Sequence, residues 1–232
     1  TAPLATCNEN MRDNRQNVLY GLTQRMFYID YQSSRSPQTL RTDYTHLYSA
    51  SITQADIDEA QFIAHLATYI SQQPYPTNAK LAVLTVCDVQ KDLISNCLKN
   101  EVPRRTVFKS SLEKIEVSRI DQHPGGEYWF TIVSTATPGG SKCLEDNLSI
   151  ALTRAKYGVY IVGKPNQDAV HPRWNKFSQY MHEIGLYGHQ IILTCHKHKT
   201  SLAVGFWLEF ERIKNGGCNQ PCKALMADGH VC

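Results

Sequence analysis

Several signatures of large protein classes are missing from this sequence. It has no run of about 18 apolar residues, roughly the minimum for a membrane-spanning helix. Residues 1–16 lack the apolar segment of a secretory signal peptide. The chain does not start with Met, which indicates a processed chain or an excised fragment. From these absences we expect an intracellular protein with no membrane partner.

Charge of neither sign dominates. The 232 residues include 24 Lys and Arg and 21 Asp and Glu, which give a net charge of +3. So small a surplus does not by itself indicate nucleic-acid binding. The sequence also lacks the phosphate-binding motif G-x-x-x-x-G-K-S/T, and no acidic D-E-A-like motif follows an apolar strand. We therefore expect that this chain alone does not hydrolyse ATP.

The eight cysteines do not follow the pattern of a disulfide framework. Three of them, Cys218, Cys222 and Cys232, cluster with His230 at Cys-x3-Cys and His-x-Cys spacings that suit zinc. The others stand singly, several in apolar runs, as buried thiols in a reducing compartment do: they are Cys7, Cys87, Cys97, Cys143 and Cys195.

The stretch Cys195-His196-Lys197-His198 also carries two types of metal ligand. No second ligand pair lies next to it in the sequence. We therefore predict that Cys195, His196 and His198 are ordinary core and surface residues rather than metal ligands.

What the sequence does contain is an alternation of apolar strands and amphipathic helices. Their order predicts an α/β fold with a mainly parallel sheet and helices on both faces. After residue 185 the periodicity fades. The predicted strands are 25–31, 80–86, 114–120, 128–134 and 159–163, and the predicted helices are 55–73, 88–98, 144–156 and 172–184. The predicted units are a lead-in (1–24), a main domain (25–185), a connector (186–214) and a small Cys/His unit (215–232).

The most informative segment is LSIALTRAKYGVYIVG, residues 148–163. It predicts an amphipathic helix that ends in a basic turn and continues into a buried strand. Arg154 and Lys156 lie at the junction, where a cation can meet a transferring phosphate. An exposed ion pair on the same helix is the other interpretation of Arg154.

Three segments together resemble the second RecA-like domain of Upf-like superfamily 1 RNA helicases. LAVLTVCDVQKDLI (81–94) resembles motif IV, IEVSRIDQHPGGEYWFTIVS (115–134) resembles motif V, and NLSIALTRAKYGVYIVG (147–163) resembles motif VI. The tail NGGCNQPCKALMADGHVC (215–232) is similar to the start of the zinc-finger array in NFX-type zinc-finger helicases. The resemblance implies a RecA-like three-layer domain followed by a short Cys/His tail.

That resemblance also implies a function: the C-terminal motor half of an ATP-dependent RNA helicase, which shares ATP and Mg²⁺ with a first motor domain. Arg154 would be the motif VI arginine that reaches ATP. The other implied nucleotide contacts are Glu127, Gly125, Gln90, Lys91 and Lys156. The implied RNA contacts are Asp121, Gln122, Ser134 and Thr135. For Glu127, Gln90 and Lys91, an ordinary strand-edge or helix-start role is the alternative.

The family's partners and location are implied in the same way. They are RNA, the first RecA-like domain of the same protein, and Argonaute or RNA-dependent RNA polymerase machinery of small-RNA silencing. The implied location is the cytoplasm, perinuclear RNA granules or the nucleus.

The sequence departs from the family at three positions. Pro124 replaces a motif V glutamine, and proline offers neither a side-chain donor nor a backbone N–H. Trp129 stands where aspartate is usual, and Asp228 replaces a cysteine of the zinc-finger pattern. Two alternatives therefore stay open: a degenerate helicase domain that acts as an RNA or protein docking module, and a tail that binds no zinc.

Overall fold

The computed structural model of the chain describes residues 19–32, 52–76, 78–100, 115–122, 126–140, 147–165, 172–213, 216–218 and 220. The helices are α1 (Gln54–Ser71), α2 (Asp88–Asn100), α3 (Leu148–Thr153) and α4 (Pro172–Glu183). The strands are β1 (Gly21–Leu22), β2 (Met26–Asp30), β3 (Leu81–Thr85), β4 (Ile115–Arg119), β5 (Tyr128–Ser134), β6 (Ala155–Gly163), β7 (Tyr187–Gly188), β8 (Ile191–Thr194) and β9 (Ser201–Val204). A 3-10 turn covers Pro138–Gly140 and a 3-10 helix covers Trp207–Arg212.

Six strands form one parallel sheet in the order β4-β3-β5-β6-β2-β7. The register is continuous across its centre, with Val83 opposite Ile132 and Ile132 opposite Tyr160. The central strands are unbroken apolar runs because helices cover both faces of the sheet. The predicted parallel α/β architecture is confirmed.

Alternate side chains of these strands enter two separate cores. Val83 and Ile132 point to the face covered by α1 and α2, whereas Leu84 and Val133 point to the opposite face. There they meet the apolar side of α4, including Trp174. The result is three layers, helix on sheet on helix, as the period-two arrangement of strand side chains requires.

Helix α1 begins at a capping box. Thr53 Oγ1 accepts the N–H of Asp56 at 3.3 Å, and Asp56 Oδ2 accepts the N–H of Thr53 at 2.9 Å. From Ile57 to Ile70 the helix is buried on every side, because the sheet, α2 and the 3-10 helix surround it. Pro74 follows soon after the helix ends. The helix starts one residue before its predicted start and ends two residues before its predicted end.

The predicted helix at 144–156 is shorter in the structure. Within the described residues α3 ends at Thr153 and β6 begins at Ala155, four residues before the predicted start at Val159. The reason is tertiary: Ala155 pairs with Tyr128 of β5, and the ladder hydrogen bonds outweigh the helix propensity of Ala-Lys.

The connector after residue 185 contains structure that the sequence pattern did not indicate. β7 joins the edge of the parallel sheet, while β8 and β9 form a hairpin that pairs with β1 in a small antiparallel sheet. The following 3-10 helix packs on α1: the rings of Phe210 and Phe62 lie 5.7 Å apart, and Trp207 Nε1 donates to Asp58 Oδ1 at 3.3 Å. In the described part of the chain, no helix has the length and apolar character to cross a membrane.

Glu59 is a buried carboxyl group on α1, beneath the end of β5. Ser134 Oγ donates to its Oε1 at 3.4 Å. Burial raises the pKa of Glu59 from 4.5 to about 7, against the lowering effects of Lys164 and of the Ser134 hydrogen bond. Near neutral pH this carboxyl group therefore exchanges a proton inside the core.

Replacing Ile63 of α1 by alanine tests the packing between α1 and the sheet. Ile63 is fully buried, so Ile63→Ala leaves a cavity and is expected to lower the free energy of unfolding by about 2–5 kcal/mol. Urea denaturation measures the loss. The matched control is Ile184→Ala, since Ile184 is 44% exposed and its truncation is expected to change stability by less than about 0.5 kcal/mol. Equal losses in both variants would contradict the packing.

Replacing Glu59 by glutamine tests whether burial raises the pKa of this carboxyl group. The folded state holds this proton more tightly than the unfolded chain, so its stabilisation is complete below pH 4.5 and is lost as the pH rises through about 7. The loss is on the order of 3 kcal/mol. Glu59→Gln is expected to be less sensitive to pH by this amount, measured by urea denaturation between acidic and mildly alkaline pH. Glu183→Gln, at an exposed position, is the control and should follow the unmodified chain. Parallel curves for Glu59→Gln and the unmodified chain would show that Glu59 does not titrate in the core.

Candidate functional site

The amino edge of the sheet brings the motif V and motif VI segments together. The N–H of Tyr128, the first residue of β5, donates to the carbonyl of Arg154 at 2.9 Å. Beside this bond Lys156 Nζ lies 2.5 Å from Glu127 Oε2, and both side chains are largely exposed. The hydrogen bond to Glu127 raises the pKa of Lys156. Three of the residues predicted to contact nucleotide, Glu127, Arg154 and Lys156, thus lie at one edge.

Arg154 lies at this edge, between the end of α3 and the start of β6. It is the residue that caps the carboxyl end of α3, and it is half-buried. Its Nε is buried and, among the described residues, finds no hydrogen-bond acceptor. A buried guanidinium nitrogen without an acceptor costs free energy that an anion can recover. The acidic residues of the predicted helix, Glu145 and Asp146, lie outside the described residues, so the alternative interpretation, an ion pair on the same helix, stays open.

Gln90 and Lys91 lie at the other edge of the sheet. They follow the carboxyl end of β3, whereas Arg154 precedes the amino end of β6, and the two strands run parallel. Gln90 is fully buried, and neither atom of its amide has a partner among the residues described. Lys91 Nζ pairs with Asp88 Oδ1 at 2.9 Å. The structure therefore does not bring these two residues to Arg154. Gly125 lies outside the described residues.

The carboxyl edge also carries the residues predicted to contact RNA. Asp121 and Gln122 follow β4 and are exposed. Ser134 and Thr135 are 0% and 1% exposed, so their side chains are not part of this surface. Of the four, only Asp121 and Gln122 offer side chains to a ligand.

Two cations at this edge, Arg119 and Lys91, are already paired with carboxylates. Arg119 Nε donates to Asp121 Oδ1 at 2.8 Å, and its Nη1 lies 3.0 Å from Asp88 Oδ2. The hydrogen bonds to these two carboxylates raise the pKa of Arg119, while those from Lys91 and Arg119 lower the pKa of Asp88. A phosphate that approaches this edge must compete with carboxylates for both cations.

Three aromatic rings pack near the amino edge. Trp129 lies 4.2 Å from Tyr157 and 6.3 Å from Tyr75, measured between ring centroids. Trp129 therefore has a packing role at the position where the resembling family carries aspartate.

A second cluster lies at the turn between β8 and β9. His198 Nδ1 is 3.7 Å from Cys195 Sγ and 3.0 Å from Cys218 Sγ, and the three ligand atoms all lie within 4.8 Å of one another. That Cys195 and His198 are ordinary core and surface residues rather than metal ligands stays a prediction, but the sequence pattern did not indicate that the fold brings Cys218 to them. His196 does point elsewhere, with its ring 6.2 Å from that of Tyr20.

The Cys195 thiol lies in a setting that favours its ionised form. Burial raises its pKa, but hydrogen bonds from the backbone N–H groups of His198, Lys197 and Cys218 lower it, to about 7 overall. Of the predicted zinc ligands, Cys222, His230 and Cys232 lie outside the described residues, so the structure places only Cys218. The sequence pattern that could have predicted this cluster is a Cys-x2-His pair in a hairpin turn, followed later in the chain by a third possible ligand.

Comparison with known proteins agrees with the parallel α/β fold. The family model described as an AAA domain, AAA_12, matches residues 5–166. The chain is 28% identical over 180 residues to mouse "NFX1-type zinc finger-containing protein 1", covering 75% of this chain and 9% of that protein. It is also 28% identical to the Caenorhabditis elegans homolog, covering 97% of this chain and 9% of that protein.

A helicase of the Upf1 type matches as well. The chain is 31% identical over 111 residues to "ATP-dependent helicase upf1" of Schizosaccharomyces pombe, covering 46% of this chain and 12% of that protein. The chain thus spans about a tenth of the length of these relatives. Since the family model matches well over half of it and the sheet is parallel with helices on both faces, the chain belongs to the AAA_12 family and is an NFX1- and Upf1-like superfamily 1 helicase domain.

Proposed function

We propose that this chain is the C-terminal motor half of an ATP-dependent RNA helicase and that Arg154 contacts the γ-phosphate of ATP bound mainly by a first motor domain. One observation carries the proposal. Arg154 is held at the amino edge of the sheet by the hydrogen bond from Tyr128, with a buried Nε that has no acceptor in the described part of the chain. An anion from a neighbouring domain would supply that acceptor.

The charged neighbours of Arg154 at this edge include an ion pair between Lys156 and Glu127, whereas Arg154 Nε has no acceptor among the described residues. A planar guanidinium donates two parallel hydrogen bonds to phosphoryl oxygens, whose negative charge grows in the transition state. Glu127 carries a carboxylate suited to accept hydrogen bonds from ribose hydroxyls. The Mg²⁺ of the nucleotide would be held by the first motor domain, because Glu127 is already paired.

RNA would bind at the opposite, carboxyl edge, at the turn that Asp121 and Gln122 open. Support for this comes from their exposure and from the nearby cations Arg119 and Lys91. Phosphates reach those cations by displacing Asp88 or Asp121, which would make RNA binding sensitive to salt. For the parent protein we extend the proposal to small-RNA silencing with Argonaute or RNA-dependent RNA polymerase partners, in the cytoplasm, RNA granules or nucleus. This extension depends on the family resemblance alone.

A second candidate function is a docking module without ATP-coupled movement. The packing of Trp129 against Tyr157 favours it, because an apolar contact occupies the position of the family's aspartate. A fluorescent, non-hydrolysable ATP analogue distinguishes the two functions when it is titrated into the protein that contains both motor domains. Saturable binding supports the motor, whereas no binding at millimolar analogue supports docking.

Replacing Arg154 in the two-domain protein tests the motor function. Arg154→Ala is expected to lower the kcat of RNA-stimulated ATP hydrolysis by about 10³-fold or more, since it removes charge stabilisation of the transition state. Arg154→Lys should recover only part of the rate, because lysine lacks the planar fork. Phosphate release measures the rates, with Arg173→Ala on the exposed face of α4 as the control. An unchanged kcat in Arg154→Ala would refute the assignment.

A further inference from the structure

We propose that Cys195, His198 and Cys218 bind a structural zinc ion that fastens the start of the Cys/His tail to the β8–β9 hairpin. The proposal concerns the tail rather than the motor, and it does not depend on the function proposed above. Two sulfurs and one imidazole are the ligand types that favour zinc.

The distances suit tetrahedral coordination. With Zn–S about 2.3 Å and Zn–N about 2.05 Å, ligand atoms on a tetrahedron lie about 3.5–3.8 Å apart. The described separations from His198 Nδ1 are 3.7 Å to Cys195 Sγ and 3.0 Å to Cys218 Sγ, and all three atoms lie within 4.8 Å. Changes of about 1 Å or less in these separations would bring all three atoms to the distances that zinc requires.

The hairpin turn presents the first two ligands side by side. The N–H of Lys199 donates to the carbonyl of Cys195, and the N–H of Cys195 donates to the carbonyl of Thr200, both at 2.9 Å. Lys199 has φ of +56°, a left-handed conformation that is uncommon for a residue other than glycine. This tight turn fixes the Cys-x2-His pair before any metal binds.

The third ligand is held in place by α1. The amide of Gln73, just after α1, is buried and donates to the carbonyl of Gly216 at 2.9 Å. Gly216 has φ of +71°, and a Cβ on it would lie 2.9 Å from Gln73 Nε2. Two residues later Cys218 faces the hairpin. A metal ion at this point would therefore join the hairpin, the tail and the carboxyl end of α1.

The proposed site competes with the zinc finger that the sequence pattern predicts. That finger uses Cys218 with Cys222, His230 and Cys232, and one cysteine side chain cannot complete two separate tetrahedral sites unless it bridges two metal ions. Cys222, four residues after Cys218, has the spacing of a fourth ligand of the proposed site. Substitutions at Cys195 and His198 affect only the proposed site, whereas substitutions at His230 and Cys232 affect only the predicted finger, so the two sites can be distinguished.

The experiment measures zinc in the purified full chain, expressed with zinc and kept reduced. Inductively coupled plasma mass spectrometry is expected to find a single zinc ion per chain. Cys195→Ser, His198→Ala and Cys218→Ser should each lose most of it. His230→Ala and Cys232→Ser should retain it, and so should His196→Ala, the matched histidine control in the same turn.

Loss of zinc could also result from unfolding of a variant, so a second experiment tests for a stronger metal signal in a variant that keeps the metal. After replacement of zinc by Co²⁺, the sulfur-to-cobalt absorption of the unmodified chain should report thiolate ligands. His198→Cys should keep the metal and strengthen this absorption, because it exchanges an imidazole for a thiolate.

Three results would overturn the proposal. Zinc retained in Cys195→Ser and His198→Ala but lost in His230→Ala would assign the metal to the predicted finger. A zinc-free chain with a Cys195–Cys218 disulfide, seen by non-reducing mass spectrometry, would make the cluster a redox pair. A His198→Cys variant with unchanged cobalt absorption would show that residue 198 is not a ligand.

Discussion

The parallel pairing of β5 with β6 runs through the middle of the sheet, from Tyr128 opposite Ala155 to Ser134 opposite Val162. Both strands are covered by helices, so their backbone groups have no water to bond and must bond to each other. This requirement fixes both ends of the pair. At the amino end it sets Arg154 beside Glu127, and at the carboxyl end it places Ser134 over the buried carboxyl of Glu59.

Helix α1 extends this constraint to the rest of the chain. It is buried on all sides, and polar groups on or just after it serve as attachment points: Asp58 accepts from Trp207, and Gln73 donates to Gly216. A buried polar group costs less free energy when it has such a partner, so these two contacts stabilise the docked segment. The segment after the sheet therefore docks on the same helix that supports the motif V strand. The amino edge of the sheet and the Cys/His cluster are thus supported by the same helix, although they lie on different elements.

Much of the fold could be predicted from the sequence, because a long and regular pattern of apolar residues is compatible with only one type of secondary structure. The apolar run Leu81–Thr85 is a strand that is buried along its whole length. The apolar residues at helical spacing that follow the Thr53 capping box form helix α1. The short strands β8 and β9 could not be predicted, since strands of four residues carry almost no periodic signal. The start of β6 was misplaced because Ala155 and Lys156 favour a helix locally, and only their pairing with β5 overrides that preference.

The sequence by itself determined the fold class, the family and the adjacency of Arg154 and Lys156, because these depend on local pattern and on motif order. Only the tertiary structure decided which candidates meet. It placed Gln90 and Lys91 at the edge opposite Arg154, since the direction of parallel strands is a property of the sheet and not of the motif. It buried Ser134 and Thr135, and it brought Cys218 across 20 residues to His198. Contacts between residues far apart in the chain are set by packing, and no spacing rule in the sequence encodes them.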